Sequence, residues 1–202
     1  MDEQCAKNPV GVREKKEVLE ICQNAANGDD DARRKLMELL FARIHKTASY
    51  LAYSLEEAED LAQTTCIEVL LNAGTFRGES SLSFWADRVT LFTASKILTK
   101  KRRREQILEA VCQPEALSKN ADAMAERTLV RQRLAYHMKD LKYYQREVLL
   151  LRYIQGYTIY EAADLCGIPI ETARGRLKKG RSVLKKKVLA DPLLRDWVRE
   201  LE

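Results

Sequence analysis

Apolar residues recur along this chain at helical spacing, which predicts an all-α protein. A first helix is expected from about Arg13 to Ala26, with Val18, Leu19, Ile21 and Cys22 on its apolar side. Asn27-Gly28 closes it, because glycine tolerates the left-handed cap. Asp29 to Asp31 open the next helix, where acids suit the positive dipole end. Leu36, Leu39, Leu40, Ile44 and Ala48 give that helix its apolar stripe. Ser54-Leu55-Glu56-Glu57 reads as a capping box at the head of a helix reaching about Ala73. Gly74 to Ser81 is a loop, and a further helix runs from about Leu82 to Arg104 with Phe84, Trp85, Val89, Phe92 and Ile97. These helices form one candidate domain over residues 13–104.

The pattern changes at Glu105. Residues 105–125 carry acids, Pro114 and a Ser-Lys-Asn-Ala-Asp run, and read as a flexible acidic linker with partial helix. A second, smaller domain follows over 126–188, with helices at about Glu126–Lys139, Tyr143–Ile154, Thr158–Cys166 and Pro169–Lys187. Thr158-Ile159-Tyr160-Glu161 is another capping box, and Pro169 suits a first helical turn. The tail, 189–202, is an amphipathic helix candidate with Leu193, Leu194, Trp197, Val198 and Leu201 on one face. It either docks on its own domain or binds a partner. The fold class is therefore all-α: two helical domains joined by a flexible linker.

Composition agrees with a soluble globular protein: 202 residues, 46% hydrophobic, 32% charged, with few Gly and Pro. The net charge of +5 says less than its distribution. Basic residues gather in Lys96–Arg104 and Arg174–Lys187, acidic ones in Glu56–Asp60 and Glu105–Glu126, which suggests two nucleic-acid contacts in one chain. Five scattered cysteines lack the close spacing of a zinc or redox pair. Cys22, Cys66 and Cys166 read as reduced core residues, with a thiol sensor as the other reading. No signal peptide or membrane span is evident, so a cytoplasmic location without membrane insertion is expected.

The strongest motif lies at Tyr157–Lys187, a short helix, a turn at Gly167 and a second helix dense in Lys and Arg. This is the layout of a helix-turn-helix, whose second helix enters the DNA major groove. From Arg174 to Lys187 there are eight basic residues and no acidic one. Glu171, Thr172, Arg174 and Arg176 stand near the helix start, where base edges are read. An ordinary helical hairpin with a solvated basic face shares this composition; the turn Gly, the capping box and the basic helix together weigh against it.

LKYYQREVLLLRYIQGYTIYEAADLCGIPIETARGRL (Leu141–Leu177) resembles the C-terminal domain of the extracytoplasmic-function (ECF) sigma factors of bacterial RNA polymerase. NGDDDARRKL (Asn27–Leu36), EAEDLAQTTCIEVL (Glu57–Leu70) and TFRGESSLSFWADRV (Thr75–Val89) resemble that family's other domain. The resemblance implies a sigma factor that binds core RNA polymerase, recognises the −10 and −35 promoter elements and helps melt the DNA. It implies contacts with the largest and second-largest polymerase subunits, with promoter DNA and, as in many family members, with an anti-sigma factor. It implies no cofactor, no metal and no catalytic activity.

The resemblance also assigns residues. Glu57, Asp60, Leu61, Gln63, Thr64, Ile67 and Glu68 fall on the helix that binds the polymerase clamp. Phe76, Arg77, Gly78, Ser80 and Ser81 fall on the loop that captures a flipped −10 base, followed by Arg88, Lys96 and Lys100 along the phosphates. Glu171, Thr172, Arg174, Gly175, Arg176, Lys178 and Lys179 fall on the helix that contacts the −35 element. Four departures stand out. Phe92 occupies a position where an Asn often contacts a promoter base, so either base choice differs or Phe92 is core. Thr65-Cys66 replaces a Glu-aromatic pair, Gly175 a common Ser, and Glu171 a common Gly.

GRLKKGRS (Gly175–Ser182) is no P-loop, because it lacks the preceding strand, has Arg181 for the Lys and sits mid-helix. His45 and His137 show no ligand or triad pattern. A stand-alone helix-turn-helix regulator would leave the RGESS loop and the acidic helix unexplained. An enzyme acting on nucleic acid needs a metal or acid–base cluster that the sequence does not offer.

Overall fold

The structure, a computed structural model, describes residues 12–105, 130, 133–134 and 136–199, with side chains from 15 to 98 and, among the described residues, from 130 to 195. The N-terminal stretch through residue 11, the acidic segment beyond Glu105, Cys5, Cys112, half of the expected helix at 126–139 and the side chains of Lys100, Trp197 and Val198 lie outside the described residues.

The N-terminal half consists of α1 (Val12–Ala26), α2 (Asp30–Leu51), α3 (Leu55–Leu71) and α4 (Leu82–Glu105), with a short 3-10 turn at Ala73–Thr75. Local chemistry sets the boundaries. Gly28 takes φ 97°, and Asp29 caps α2 by accepting from the Ala32 N–H at 3.0 Å. Ser54 caps α3 by accepting from the Glu57 N–H at 3.1 Å. Glu57 reaches back to the Tyr53 N–H at 2.8 Å, one residue earlier than in the reciprocal box.

The C-terminal half holds α5 (Tyr143–Leu149), a π-helical turn at Leu150–Ile154, α6 (Ile159–Leu165), α7 (Ile170–Ala190) and α8 (Pro192–Arg199). Thr158 and Glu161 form the full reciprocal box at the head of α6, at 3.2 and 2.8 Å. Gly167 turns the chain between α6 and α7 at φ 62°. Where one continuous α-helix is expected over Tyr143–Ile154, the last turn is widened, and the Gln155 N–H reaches the Leu150 carbonyl at 3.0 Å. Three successive leucines explain the need. Leu149 packs with Met138 and Leu141, while Leu150 and Leu151 pack into the main core, and no regular stripe buries all three.

That main core crosses both halves. Leu36, Leu40, Ile44, Leu61 and Leu91 share one cluster with Leu150, Leu151, Ala162 and Leu165. Burying each leucine or isoleucine among them contributes roughly 1.5–3 kcal/mol. Polar groups stitch the same seam. The buried Asp87 on α4 accepts from Arg43 Nη2 at 2.6 Å and from the Tyr157 hydroxyl at 2.8 Å. Burial, and the Asp87 charge beside it, push the Tyr157 hydroxyl above its ordinary range, so it remains a donor. Gln155 donates to the buried Thr47 hydroxyl at 2.7 Å, and Arg146 to the Ala52 carbonyl at 3.2 Å.

The tail docks on its own half. Leu194 is buried, and Asp191 accepts from the Leu193 N–H at 3.1 Å while pairing with His137 at 2.8 Å and Arg133 at 3.2 Å. Burial would raise the Asp191 carboxyl, but His137, the Leu194 N–H and Arg133 together hold it below its usual range. Cys22 is fully buried, and burial raises its thiol to about 11. Cys66 and Cys166 are half-buried and free.

Candidate nucleic-acid and polymerase interfaces

α7 touches the rest of its half along a narrow line. Among its described residues only Ala173 and Gly180 are buried. At Gly180 a Cβ would lie 2.8 Å from Leu149 Cδ1, so α5 crosses α7 in direct contact with its backbone. Leu177 and Leu184 pack half-buried against Met138, Leu141 and Leu149, and Ile170 against Val148 and Ala163; the outer face is left for solvent. Glu171, Thr172, Arg174, Gly175, Lys178 and Lys179 are all exposed on α7. Glu171 and Arg174 pair with each other at 2.5 Å. Arg176 differs: it is half-buried, pairs with Glu147 on α5 at 2.9 Å and lies over the Tyr144 ring. Burial raises the Glu147 carboxyl to about 7 against the charge and hydrogen bond of Arg176, which pull it down. The Cys166 thiol beside it is pushed up, first by burial and then by Glu147.

The loop before α4 turns at Gly78, φ 69°. Phe76 is only 6% exposed and its ring meets Trp85 at 5.7 Å, so its side chain faces the core. Arg77, Glu79 and Ser81 are exposed on this loop, and Gly78 and Ser80 half-buried. Ser81 also caps α4, accepting from the Phe84 N–H at 3.1 Å. On α4, Arg88 and Lys96 are exposed; Arg88 pairs with Asp164 of α6 at 2.6 Å. Phe92 is not core: it is 61% exposed, with Lys96 Nζ 4.2 Å from its ring centre. A cleft of about 970 Å³ opens here between the halves, with Arg88 and Phe92 on one wall and Gly167 and Ile168 on the other.

α3 presents a third surface. Leu61 is fully buried and belongs to the core. Asp60, Gln63 and Ile67 are exposed, Glu57, Thr64 and Glu68 half-buried, and Glu68 receives the Asn72 amide at 3.2 Å. Leu71, one turn beyond Ile67, is 76% exposed and continues this face. Sequence reasoning passed over Leu71, although its distance from Leu61, Thr65 and Val69 around the helix was a usable signal. Among the described residues no His, Cys, Asp or Glu cluster is placed to hold a metal, and no helix is long and apolar enough to cross a membrane.

Two family models match the chain in order: Sigma-70 region 2 over residues 36–104 and Sigma-70 region 4 over residues 131–184. The first spans α3, the loop and α4; the second spans the helix-turn-helix. The ECF sigma factor SigW of Bacillus subtilis is 26% identical over 172 residues, covering 80% of this chain and 91% of that protein. The ECF sigma factor SigC of Mycobacterium tuberculosis is 24% identical over 167 residues, covering 83% and 89%. Among solved structures, CnrH in complex with the cytosolic domain of CnrY shares the fold at TM-score 0.57 and 20% identity, covering 86% of this chain and 97% of that one. The sigma factor RpoE in complex with the anti-sigma factor NepR from Bartonella quintana gives TM-score 0.54 and 21% identity, covering 78% and 97%. A sigma-70-type initiation factor is the class that these two regions define. The chain belongs to the ECF sigma factors, and its function is to direct transcription initiation.

Proposed function

We propose that three faces divide the work of initiation among themselves. α3 docks on the clamp of the largest polymerase subunit through Asp60, Gln63, Thr64, Ile67 and the neighbouring Leu71. An apolar pair framed by acids and amides, standing out from the helix, suits a protein partner better than DNA. The loop at Arg77–Ser81 and the outer face of α4 take the −10 element. The outer face of α7, with Arg174, Lys178 and Lys179 free of the core, takes the −35 element in the major groove. The C-terminal half also meets the second-largest polymerase subunit. The observation that carries this reading is the placement of two cationic helix faces and one mixed face inside the two matched regions.

Reading both elements at once separates the halves. Roughly 25 base pairs at 3.4 Å each extend about 85 Å. A compact chain of this length is only about 40 Å across. The seam from Asp87 to Tyr157 therefore opens on the promoter. The protein has no catalytic activity of its own, works in the cytoplasm, and has an anti-sigma factor as a further partner, as RpoE has in its solved complex.

Transcription with core polymerase and genomic DNA of the source organism, with and without this protein, tests the reading. Discrete new start sites and co-purification with core are expected. Duplex binding without polymerase, and no initiation on any template, would favour a stand-alone regulator instead.

A further inference from the structure

The cleft of about 970 Å³ between the halves belongs to neither half alone. Pockets that hold small molecules measure about 300–1,000 Å³, favour such junctions, and combine aromatic walls with a few polar groups. This cleft has both. Phe92 stands exposed on the α4 wall and Tyr144 on the α5 wall, and neither ring joins a core cluster. Arg176 and Lys142 lie 5.1 and 5.9 Å from the centre of the Tyr144 ring. The charges inside are unevenly matched. Arg88 holds Asp164 at 2.6 Å, and Arg176 holds Glu147 at 2.9 Å. Lys142, the third cation of the lining, is exposed and has no ion-pair partner among the described residues.

Two open rings and one surplus cation in a cleft of this size fit a planar ligand that carries negative charge. A small inorganic anion would leave the rings wet, and an apolar ligand would leave the ammonium without a counter-charge. A purine nucleoside phosphate supplies both parts, a broad π-face and a polyanion. We propose that the cleft between the halves is a binding site for a purine nucleoside phosphate, its base laid against Tyr144 and Phe92 and its phosphates on Lys142. The walls come from different halves, so the site is whole only while the halves are together. A ligand that binds one state and not the other shifts the population towards the state it binds. Promoter reading as proposed above draws the halves apart, and the consequence for initiation rests on that reading: the bound nucleotide holds this sigma factor closed and lowers its activity.

Binding is tested on the full chain without polymerase. Calorimetric titration with ADP and with GDP should show saturable binding of at least one of them, accompanied by a raised melting temperature. Pyrophosphate and the free nucleoside, offered separately, should bind far more weakly. Tyr144→Ala should weaken nucleotide binding about tenfold, the usual effect of removing one base–aromatic stack, and Lys142→Gln by a similar factor. Both side chains are exposed, so each variant should melt near the unliganded wild-type temperature. Three results would overturn the site: no binding of either nucleotide, pyrophosphate bound as tightly as ADP and GDP, or unchanged affinity in Tyr144→Ala. The closing role is read on holoenzyme, as open complexes formed without polymerase substrates. The nucleotide that binds should lower their yield with the wild-type protein and less so with Tyr144→Ala. Binding that leaves open complexes unaffected would keep the site and count against the separation of the halves on the promoter.

Discussion

α4 and α7 are both long, basic helices, yet the chain holds them in opposite ways. α4 is set into the core by a polar-rich stripe: within its own half Asp87 is tied to Arg43, and Thr90 donates back to the Ala86 carbonyl at 2.8 Å. α7 rests on its neighbours along one stripe, fully burying only Ala173 and Gly180 among its described residues, with Ile170, Leu177 and Leu184 half-buried beside them. The difference matches two tasks. A strand that has left the duplex needs a wall whose outward groups do not move. A major groove needs a helix bare around most of its circumference. Firm anchoring and bare exposure are hard to combine in one helix, and the chain assigns them to two.

The anchor of α4 should break first. Asp87→Asn leaves the half-buried Arg43 without its carboxylate and should cost about 3 kcal/mol, read as a lowered urea midpoint. A cost below about 1 kcal/mol would mean that apolar packing alone fixes α4. Next comes the saddle under α7. Gly180→Ala forces a methyl against Leu149 and should destabilise by about 1–3 kcal/mol, despite the better helix propensity of alanine. An unaltered melting temperature would show that α5 and α7 can slide apart.

Glu147, beneath α7, gives a smaller and pH-dependent effect. Its folded value of about 7 lies above its ordinary 4.5. Stability from this group is therefore greatest below the ordinary value and falls as pH rises towards the folded one, by at most about 1.4 kcal/mol per pH unit. Thermal melts at pH 5 and 8 should show this decline, and Glu147→Gln should flatten it. A slope that survives the substitution would assign it to other groups. The mildest change is Gly175→Ala. Nothing stands within 4 Å of the added Cβ, so about 1 kcal/mol of stabilisation is expected from helix propensity alone. Two glycines five positions apart would then respond with opposite signs, which calorimetry can check directly.

Much of this was legible from local chemistry. The helix start at Asp29, the box at Thr158 and the turn at Gly167 depend on a few adjacent residues and match the structure, whereas at Ser54 only the N-cap half of the expected box forms. Of the two readings of the tail, the described residues show docking on its own half, through Leu194 and Asp191. Sidedness on α4 was not legible, because its buried stripe includes Asp87, Thr90 and Thr93, which periodicity counts as outward. Phe92 was therefore left between core and surface, and Phe76, placed on a base-binding loop, proved to pack inward against Trp85. The seam between the halves depends on Tyr157 meeting an ion pair seventy and more positions away, and no local pattern encodes that. The widened turn at Leu150–Ile154 follows from that seam, since it turns Leu150 and Leu151 towards the other half.

The Arg88–Asp164 pair bears on how salt acts on this protein. A bare cation that meets DNA releases the small ions condensed on a phosphate, and affinity falls steeply as salt is added. Arg88 already holds an anion, Asp164, supplied by the helix-turn-helix. A phosphate arriving there swaps one anion for another, and the freed, exposed Asp164 carboxylate attracts cations in turn. Such an exchange is nearly blind to ionic strength. The salt sensitivity of DNA binding then reports Lys178, Lys179 and the other unpaired cations, and undercounts the phosphates the protein touches.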